Sequence, residues 1–357
     1  MDAGAAVTTG ATTADRLVVR PYALDDAARW DSFVDQCSEA TFFHRIGWRE
    51  IIEGTFRHRT YYRLAERSGR IVGILPLVEV RSMLFGHALV PLPFCAYGGP
   101  AAGDSLAERA LIDAAVDLAR DLRVEHVEMR HRAAKCVDWQ KQDLYVTFRK
   151  QLLPDVQGNM LAIPRKQRAM VRKGIRNGLR SEIDTSIDRF FGLYADNVHR
   201  HGTPPFSKRY FARLREVFGQ ACEVLIVVES GGRPVSGVMS FYFKDEVLPF
   251  YAGDTAAARD LAANDFKYWE LMRRACETGV RVFDYGRSKR GTGSFSFKRN
   301  WGFDPSPLTY EYKLLGRSNV PQNNPLNPKY QALIALWRCL PKPVANLIGP
   351  MLVRNLG

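Results

Sequence analysis

The signatures of several familiar enzyme classes are missing from this chain. None of its 7 histidines falls in a His-Glu-x-x-His pattern, and there is no Gly-x-Ser-x-Gly elbow and no Walker A loop. Those absences exclude the zincin, α/β-hydrolase and P-loop readings, because each needs its ligands or backbone amides at fixed spacing. The phrase GRSKRGTG (286–293) is mis-spaced for a dinucleotide fingerprint. The 6 cysteines (Cys37, Cys95, Cys136, Cys222, Cys276, Cys339) form no CxxC pair and mostly sit in apolar runs, which points to buried reduced thiols. No run approaches the ~18 apolar residues of a spanning helix. The opening MDAGAAVTTGATTAD has no apolar signal core and reads as a frayed tail, so a reduced, cytoplasmic protein is expected.

Acid is also missing where base is dense. From Arg165 to Arg180 there is no Asp or Glu, while Arg165, Arg168, Arg172, Arg176 and Arg180 recur in steps of three and four. On one helix they form a cationic stripe opposite an apolar face of Val171, Ile175 and Leu179. Such a stripe is either a solvated face or a phosphate-binding one. The chain as a whole carries a net charge of +13, which calls for an anionic partner: nucleic acid, a phosphorylated substrate or an acidic membrane face.

What is present is an internal repeat. Tyr61–Arg132 and Val224–Lys289 each hold an apolar strand, a Gly-Arg turn, a second strand with an early glycine (Gly73, Gly237) and a Leu-Pro-Phe strand. An amphipathic helix and a final strand with an acid (Glu128, Asp284) follow in both. The period is too long for a solenoid unit of ~20–50 residues. It implies two homologous α/β domains, with a site in either copy or in the cleft between them.

The expected division is a disordered 1–15, a first domain over 16–153, a second over 154–315, and a linker with an amphipathic helical tail over 316–357. Helices are expected at Asp25–Cys37, Thr41–Ile52, Asp188–His201 and Ser207–Phe218, the last capped by Ser207. Pro91 and Pro93 predict an edge or bulged strand. In the tail, Asn327 and Pro328 start a helix whose Tyr330, Leu333, Ile334 and Trp337 share a face, and Val344, Leu347, Ile348, Met351 and Leu352 share a face of a second. Those helices either pack back on the protein or lie on a membrane surface.

With no metal cluster or activated nucleophile in view, group transfer by positioning is the mechanism expected. Besides the arginine stripe, two segments could supply it. In Phe283-Asp284-Tyr285-Gly286-Arg287-Ser288 a strand gives way to acid, glycine, cation and hydroxyl, where α/β sheets commonly bind ligands. Alternatively Asp284 ends the strand and pairs with Arg287. In Gly291–Lys298, glycines let amides approach an anion and Lys298 follows alternating Phe295 and Phe297; alternatively the segment is a flexible turn before a strand, with Lys298 solvated. Phe266, Tyr268 and Trp269, near Asn264, read as core or cleft lining.

The ordered set R-x-x-R-x-x-x-R-K (165–173), RHGTPP (200–205), YAGD (251–254), N…YW (264–269) and FDYGRS…GTGSFSFKRNWG (283–302) resembles the Fem-type (FemAB-like) branch of the GNAT superfamily. It is similar to Fem-like proteins of exosortase/PEP-CTERM exopolysaccharide systems. The resemblance covers about 17–315. It implies an α+β fold of two tandem GNAT-like domains, each a mixed twisted sheet flanked by helices. It implies transfer of an acyl or aminoacyl group to an amine of an envelope or exopolysaccharide precursor. Lys298, Asp284 and Arg287 are the implied catalytic residues. Ser288, Tyr251, Asn264, Tyr268, Arg165, Arg168 and Arg172 are the implied substrate-binding residues. No cofactor beyond the donor, aminoacyl-tRNA or acyl-CoA, is implied. The expected partner is tRNA or a nucleotide- or lipid-linked precursor, with a peripheral inner-membrane contact through the tail. The coiled-coil tRNA arm typical of the family is missing, as is the GNAT pyrophosphate loop, whose place is taken by DTAAARDLAAND. An acyl-CoA-dependent N-acyltransferase on a small amine or amino sugar, and a non-catalytic RNA- or membrane-binding protein, are the alternatives.

Overall fold

The computed structural model describes residues 16–82, 86–136, 138–320 and 328–355, with backbone alone at 328–332. The expected frayed start and the capping Asn327 lie outside them, as does any side-chain role for Tyr330.

The first half runs β1 (Val18–Pro21), α1 (Ala27–Gln36), α2 (Gly47–Ile51), β2 (Arg59–Thr60), β3 (Arg63–Arg67), β4 (Arg70–Leu75), β5 (Leu77–Ser82), β6 (Gly86–Pro91), β7 (Ala101–Ala102), α3 (Ser105–Asp121), β8 (His126–His131) and β9 (Gln140–Gln142). β10 (Tyr145–Gln151) leads to the second half: α4 (Val156–Ala162), α5 (Arg165–Arg176), β11 (Arg180–Ile183), α6 (Asp188–Arg200), α7 (Lys208–Phe218), β12 (Cys222–Val228), β13 (Pro234–Phe243) and β14 (Glu246–Asp254). Then come α8 (Ala258–Leu261), α9 (Ala263–Glu277), β15 (Val282–Asp284), β16 (Ser288–Lys289), α10 (Gly293–Asn300), β17 (Pro305–Pro307) and β18 (Thr309–Leu314), with α11 (Pro328–Cys339) and α12 (Lys342–Val353) as the tail.

The repeat is structural. β6 runs parallel to β8 through Ala88↔His126 and Leu89↔Val127, and β14 runs parallel to β15 through Glu246↔Val282 and Val247↔Phe283. In each half the helix between them is amphipathic and covers the sheet: α3 buries Leu111, Ala115 and Ala119, and α9 buries Phe266, Trp269 and Met272. Each parallel pair is short. Beyond it the strands part and leave a V-shaped opening.

The halves exchange strands. β10, expected to close the first domain, lies between β15 and β16 in the second sheet. β18, the last strand, lies between β8 and β9 in the first. Strand pairing therefore crosses the division expected at 153/154. Side chains fix the exchange. Arg149 on β10 pairs with Asp284 and Glu246, and Val146 and Phe148 enter the second-half core. Glu311 on β18 is fully buried and accepts the backbone N–H groups of Lys135 and Cys136 in the first half. A common apolar core joins the halves further, with Phe42 stacked on Phe241 at 4.4 Å between ring centroids.

Several local expectations differ from the fold. The cationic stripe ends early: α5 stops at Arg176, Gly178 takes φ +72°, and Arg180 starts β11. The buried face of α5 is Val171 and Gly174, with Gly174 against Phe266, while Ile175 is 49% exposed. Pro91 is not on an edge strand. It ends the central β6, opposite Leu77, where β8 has already diverged and no ladder donor is needed. Thr41–Ile52 is a 3-10 turn, then α2, then a π-turn at Ile52–Phe56. Gly293–Asn300 is helical, not extended: Thr292 caps it by accepting from Phe295 N at 3.3 Å, and Phe295 and Phe297 pack on the second core.

Candidate active site

The two V-shaped openings face one cavity of about 820 Å³. Val90, Phe94, Ala96, Glu128 and Arg130 line it from the first half, and Pro249, Phe250, Tyr251, Tyr285, Gly286, Arg287 and Lys298 from the second. The exchanged strands complete it with Tyr145, Tyr310 and Tyr312. Phe250 has no partner in the β13–β14 register, which passes from Met239↔Tyr251 to Ser240↔Pro249. That bulge re-aims the strand at the cavity wall. Across the cavity, Leu92 (φ 47°) and Phe94 (φ 72°) hold left-handed backbone, and Arg130 donates to the carbonyls of Leu92 and Cys95 while pairing with Glu128 at 2.5 Å. The loop after β6 is thus held in a strained form by a buried cation.

Lys298 is the central cation. The helical turn of α10 puts it one turn after Ser294, and both line the cavity. Its ammonium donates to the carbonyls of Tyr285 (2.6 Å), Gly286 (3.1 Å) and Arg287 (3.2 Å). Burial pushes its pKa down to about 8, against the attraction of Asp284. It is therefore charged at neutral pH yet close to titration. The carbonyls can converge because Gly286 takes φ +66°, a conformation only glycine adopts without strain.

The Arg287 guanidinium lies beside the paired rings of Tyr145 (4.6 Å) and Tyr310 (5.9 Å) and donates to Tyr310 Oη at 2.8 Å. Among the described residues no carboxylate pairs with it, and Asp284 does not. The cavity therefore holds a guanidinium whose remaining donors can meet an anionic ligand group in fork geometry.

Asp284 is fully buried and points away from the cavity. It accepts from Tyr97 Oη (3.0 Å), Thr147 Oγ1 (3.3 Å), Arg149 Nη1 (2.8 Å) and Gly286 N (2.7 Å). Four donors leave its carboxylate no role as a proton acceptor, so it is a positioning residue for the 285–287 turn. Ser288 is buried in β16 beside Val146 and does not reach the cavity. Tyr251 does, with its hydroxyl 2.8 Å from that of Tyr210. Tyr268 does too, edge-on to Tyr285 at 4.9 Å, and the buried Tyr285 hydroxyl has no hydrogen-bond partner among the described residues. Asn264 lies in the first turn of α9, outside the cavity. Arg165 and Arg172 are exposed and Arg168 donates to Leu161 O, so the stripe is a separate surface. Sequence reasoning missed Tyr145 and Tyr310. The signal for the latter was the alternation in Thr309–Leu314, which puts Tyr310 and Tyr312 on the face opposite Glu311.

Residues 165–299 match the acetyltransferase (GNAT) domain model. The crystal structure of FemX superposes with a TM-score of 0.64, covering 86% of this chain and 98% of that one at 15% identity. The chain has the Fem-type tandem GNAT fold. The C-terminal domain of a putative lysylphosphatidylglycerol synthetase from Agrobacterium fabrum gives 0.57, covering 87% and 95% at 14% identity. A tandem GNAT protein from the clavulanic acid biosynthesis pathway gives 0.52, covering 85% and 100% at 15% identity. No curated protein sequence matches the chain. At such identities the likeness is one of fold, and it agrees with the two parallel-strand openings that frame the cavity.

Proposed function

We propose that this protein is an acyl- or aminoacyltransferase that forms an amide on an amine acceptor held between the two halves. The observation that carries the reading is Lys298, an ammonium seated at the opening of β14 and β15 beside the unneutralised Arg287. The acceptor nitrogen attacks the donor's carbonyl carbon and a C–N bond forms. The carbonyl oxygen takes up negative charge, which the positive charge of Lys298 stabilises through space while its three N–H donors hold the carbonyls of Tyr285, Gly286 and Arg287. The donor C–O or C–S bond then breaks, and the leaving atom takes the electron pair and the proton lost by nitrogen. Arg287 anchors a carboxylate or phosphate of a substrate, and the tyrosine walls exclude water and orient the acceptor.

The turn into α9 favours an aminoacyl ester over coenzyme A as donor. In its place of a glycine-rich phosphate cradle stand Asp254, which pairs with the fully buried Lys267 at 2.9 Å, and Asp265 in the first helical turn. The carboxylate of Asp265 at the helix N-terminus opposes a pyrophosphate, whereas that of Asp254 is balanced by Lys267. The sequence resemblance favours an acceptor from cell-envelope or exopolysaccharide synthesis, and the exposed arginines of α5 are suited to tRNA phosphates.

The test is product formation from purified protein, charged tRNA or acyl-CoA, and amine acceptors, read by mass spectrometry with Lys298→Met as control. Amide from charged tRNA that disappears in the variant supports the reading. Amide from acyl-CoA alone moves the donor to coenzyme A. Product formed equally by Lys298→Met removes this site.

A further inference from the structure

The tail helices turn the wrong face inward for a simple packing role. In α12 the small residues Ala345, Gly349 and Val353, spaced by four, are the buried ones. A Cβ on Gly349 would lie 2.4 Å from Pro205 Cδ, so the helix is seated as closely as backbone allows. His199 donates to Leu340 O at 2.9 Å and His58 to Arg354 O at 2.8 Å, which fixes both ends of α12 to the body. The large apolar residues point outward: Leu347 is 75% exposed and Met351 68%, with Leu333 at 61% and Leu336 at 64% on α11. Six of the thirteen large apolar side chains that stand exposed among the described residues fall between Leu333 and Leu352. A protein surface rarely gathers them so without an interaction.

The tail's own charge has one sign. From Gly316 onward the sequence has Arg317, Lys329, Arg338, Lys342 and Arg354 and neither Asp nor Glu. Acids of the body meet two of them, Glu125 with Arg317 and Asp196 with Lys342. No helix among the described residues is long and apolar enough to cross a membrane.

We propose that α11 and α12 form a docking face for a membrane carrying anionic headgroups. The apolar side chains enter the headgroup boundary and the cations stay at phosphate level, as amphipathic helices do when they lie in the interface plane. A second copy of the chain fits this face less well, because a symmetric pairing would set two acid-free basic tails against each other. Val353 and Asn355, at the end of α12, line the central cavity. Docking therefore brings the cavity to the membrane surface, where a membrane-anchored acceptor can enter. That consequence rests on the proposed transferase reading, and the docking itself does not.

The test is flotation of the full chain with phosphatidylcholine vesicles, with and without phosphatidylglycerol, beside the triple variant Leu336→Asp, Leu347→Asp, Met351→Asp. We expect binding only to the anionic vesicles and a loss of roughly tenfold or more in the variant. Its melting temperature should hold, since all three side chains are exposed. A second variant, Arg338→Glu, should weaken binding and flatten its salt dependence. The proposal is overturned if the wild type stays unbound on anionic vesicles, if the triple variant floats equally well, or if the apolar face instead holds a solution dimer that the triple variant dissociates. None of these readouts uses transfer activity, so failure here and failure of the transferase reading are told apart.

Discussion

Tyr97 of the first half donates to Asp284 of the second at 3.0 Å. The same carboxylate takes Arg149 from the exchanged strand β10 and Gly286 N from the turn that Lys298 caps. One buried acid thus joins the two halves, the exchange and the site. Asp284→Ala leaves buried donors unmet, at a cost of about 3–5 kcal/mol. In a chain of this size that lowers Tm by roughly 4–7 °C. Calorimetry of the variant checks this, and a loss of rate with unchanged Tm would instead make Asp284 a reacting group.

Lys298→Met keeps the bulk of the side chain and removes the charge. We expect transfer to fall roughly 100-fold, because the charge that stabilises the oxyanion in a water-excluded site is lost. Circular dichroism should show the fold retained. A variant with near-normal kcat would place the oxyanion partner elsewhere.

The titration of Lys298 predicts opposite trends for activity and stability. Burial holds its pKa at about 8 in the fold, against 10.5 for an ordinary lysine. Activity that needs the ammonium falls as pH rises through about 8. Stability moves the other way: between about 8 and 10.5 the unfolded chain binds the proton that the folded chain has released, so folding gains with pH. The difference between wild type and Lys298→Met in both profiles isolates this group. A wild-type rate that stays flat up to pH 10 would show that the ammonium is not used.

Most of the architecture was legible because it rests on local pattern. The repeat of strand, glycine strand and amphipathic helix predicted two like halves, and the helices expected at Asp188–His201 and, after the Ser207 cap, up to Phe218 are α6 and α7. The exchange was not legible, because β10 and β18 follow the right strands in sequence and only Arg149 and Glu311 decide which sheet receives them. The site was legible in part. Lys298, Arg287, Tyr251 and Tyr268 meet in the cavity, whereas Asp284 turns inward, since an acid ending a strand reads alike whether it faces ligand or protein. The α10 segment was misread as extended because Phe295 and Phe297 alternate, a pattern the Thr292 cap overrides.

Arg287 separates binding from chemistry. Its guanidinium has no carboxylate partner among the described residues, so removing it should not lower stability, and Arg287→Ala should melt no earlier than wild type. Loss of charge-assisted bonds to a substrate carboxylate or phosphate should raise KM roughly 10- to 100-fold, with kcat less affected. Arg287→Lys should recover little, because an ammonium cannot supply the planar fork or pack flat against Tyr145. Steady-state kinetics with an anionic acceptor and its neutral amide or ester analogue checks this. The KM penalty should vanish for the neutral analogue. If it persists, Arg287 shapes the tyrosine walls rather than holding charge.

The exchange makes each half dependent on the other. A second-half fragment beginning after β10 lacks the strand that covers β15, and a first-half fragment without β18 loses the six-residue ladder from Thr309↔His131 to Leu314↔His126. It also loses Glu311, leaving the N–H groups of Lys135 and Cys136 unmet. Neither 16–153 nor 154–315 should therefore fold alone, even though each spans one copy of the repeat. Expressed together they should assemble, because every ladder then has its partner and the Phe42–Phe241 core closes. Amide hydrogen exchange on the separate and mixed fragments measures this directly. Slow exchange at Val127 and Met129 in 16–153 alone would show that β8 needs no exchanged strand.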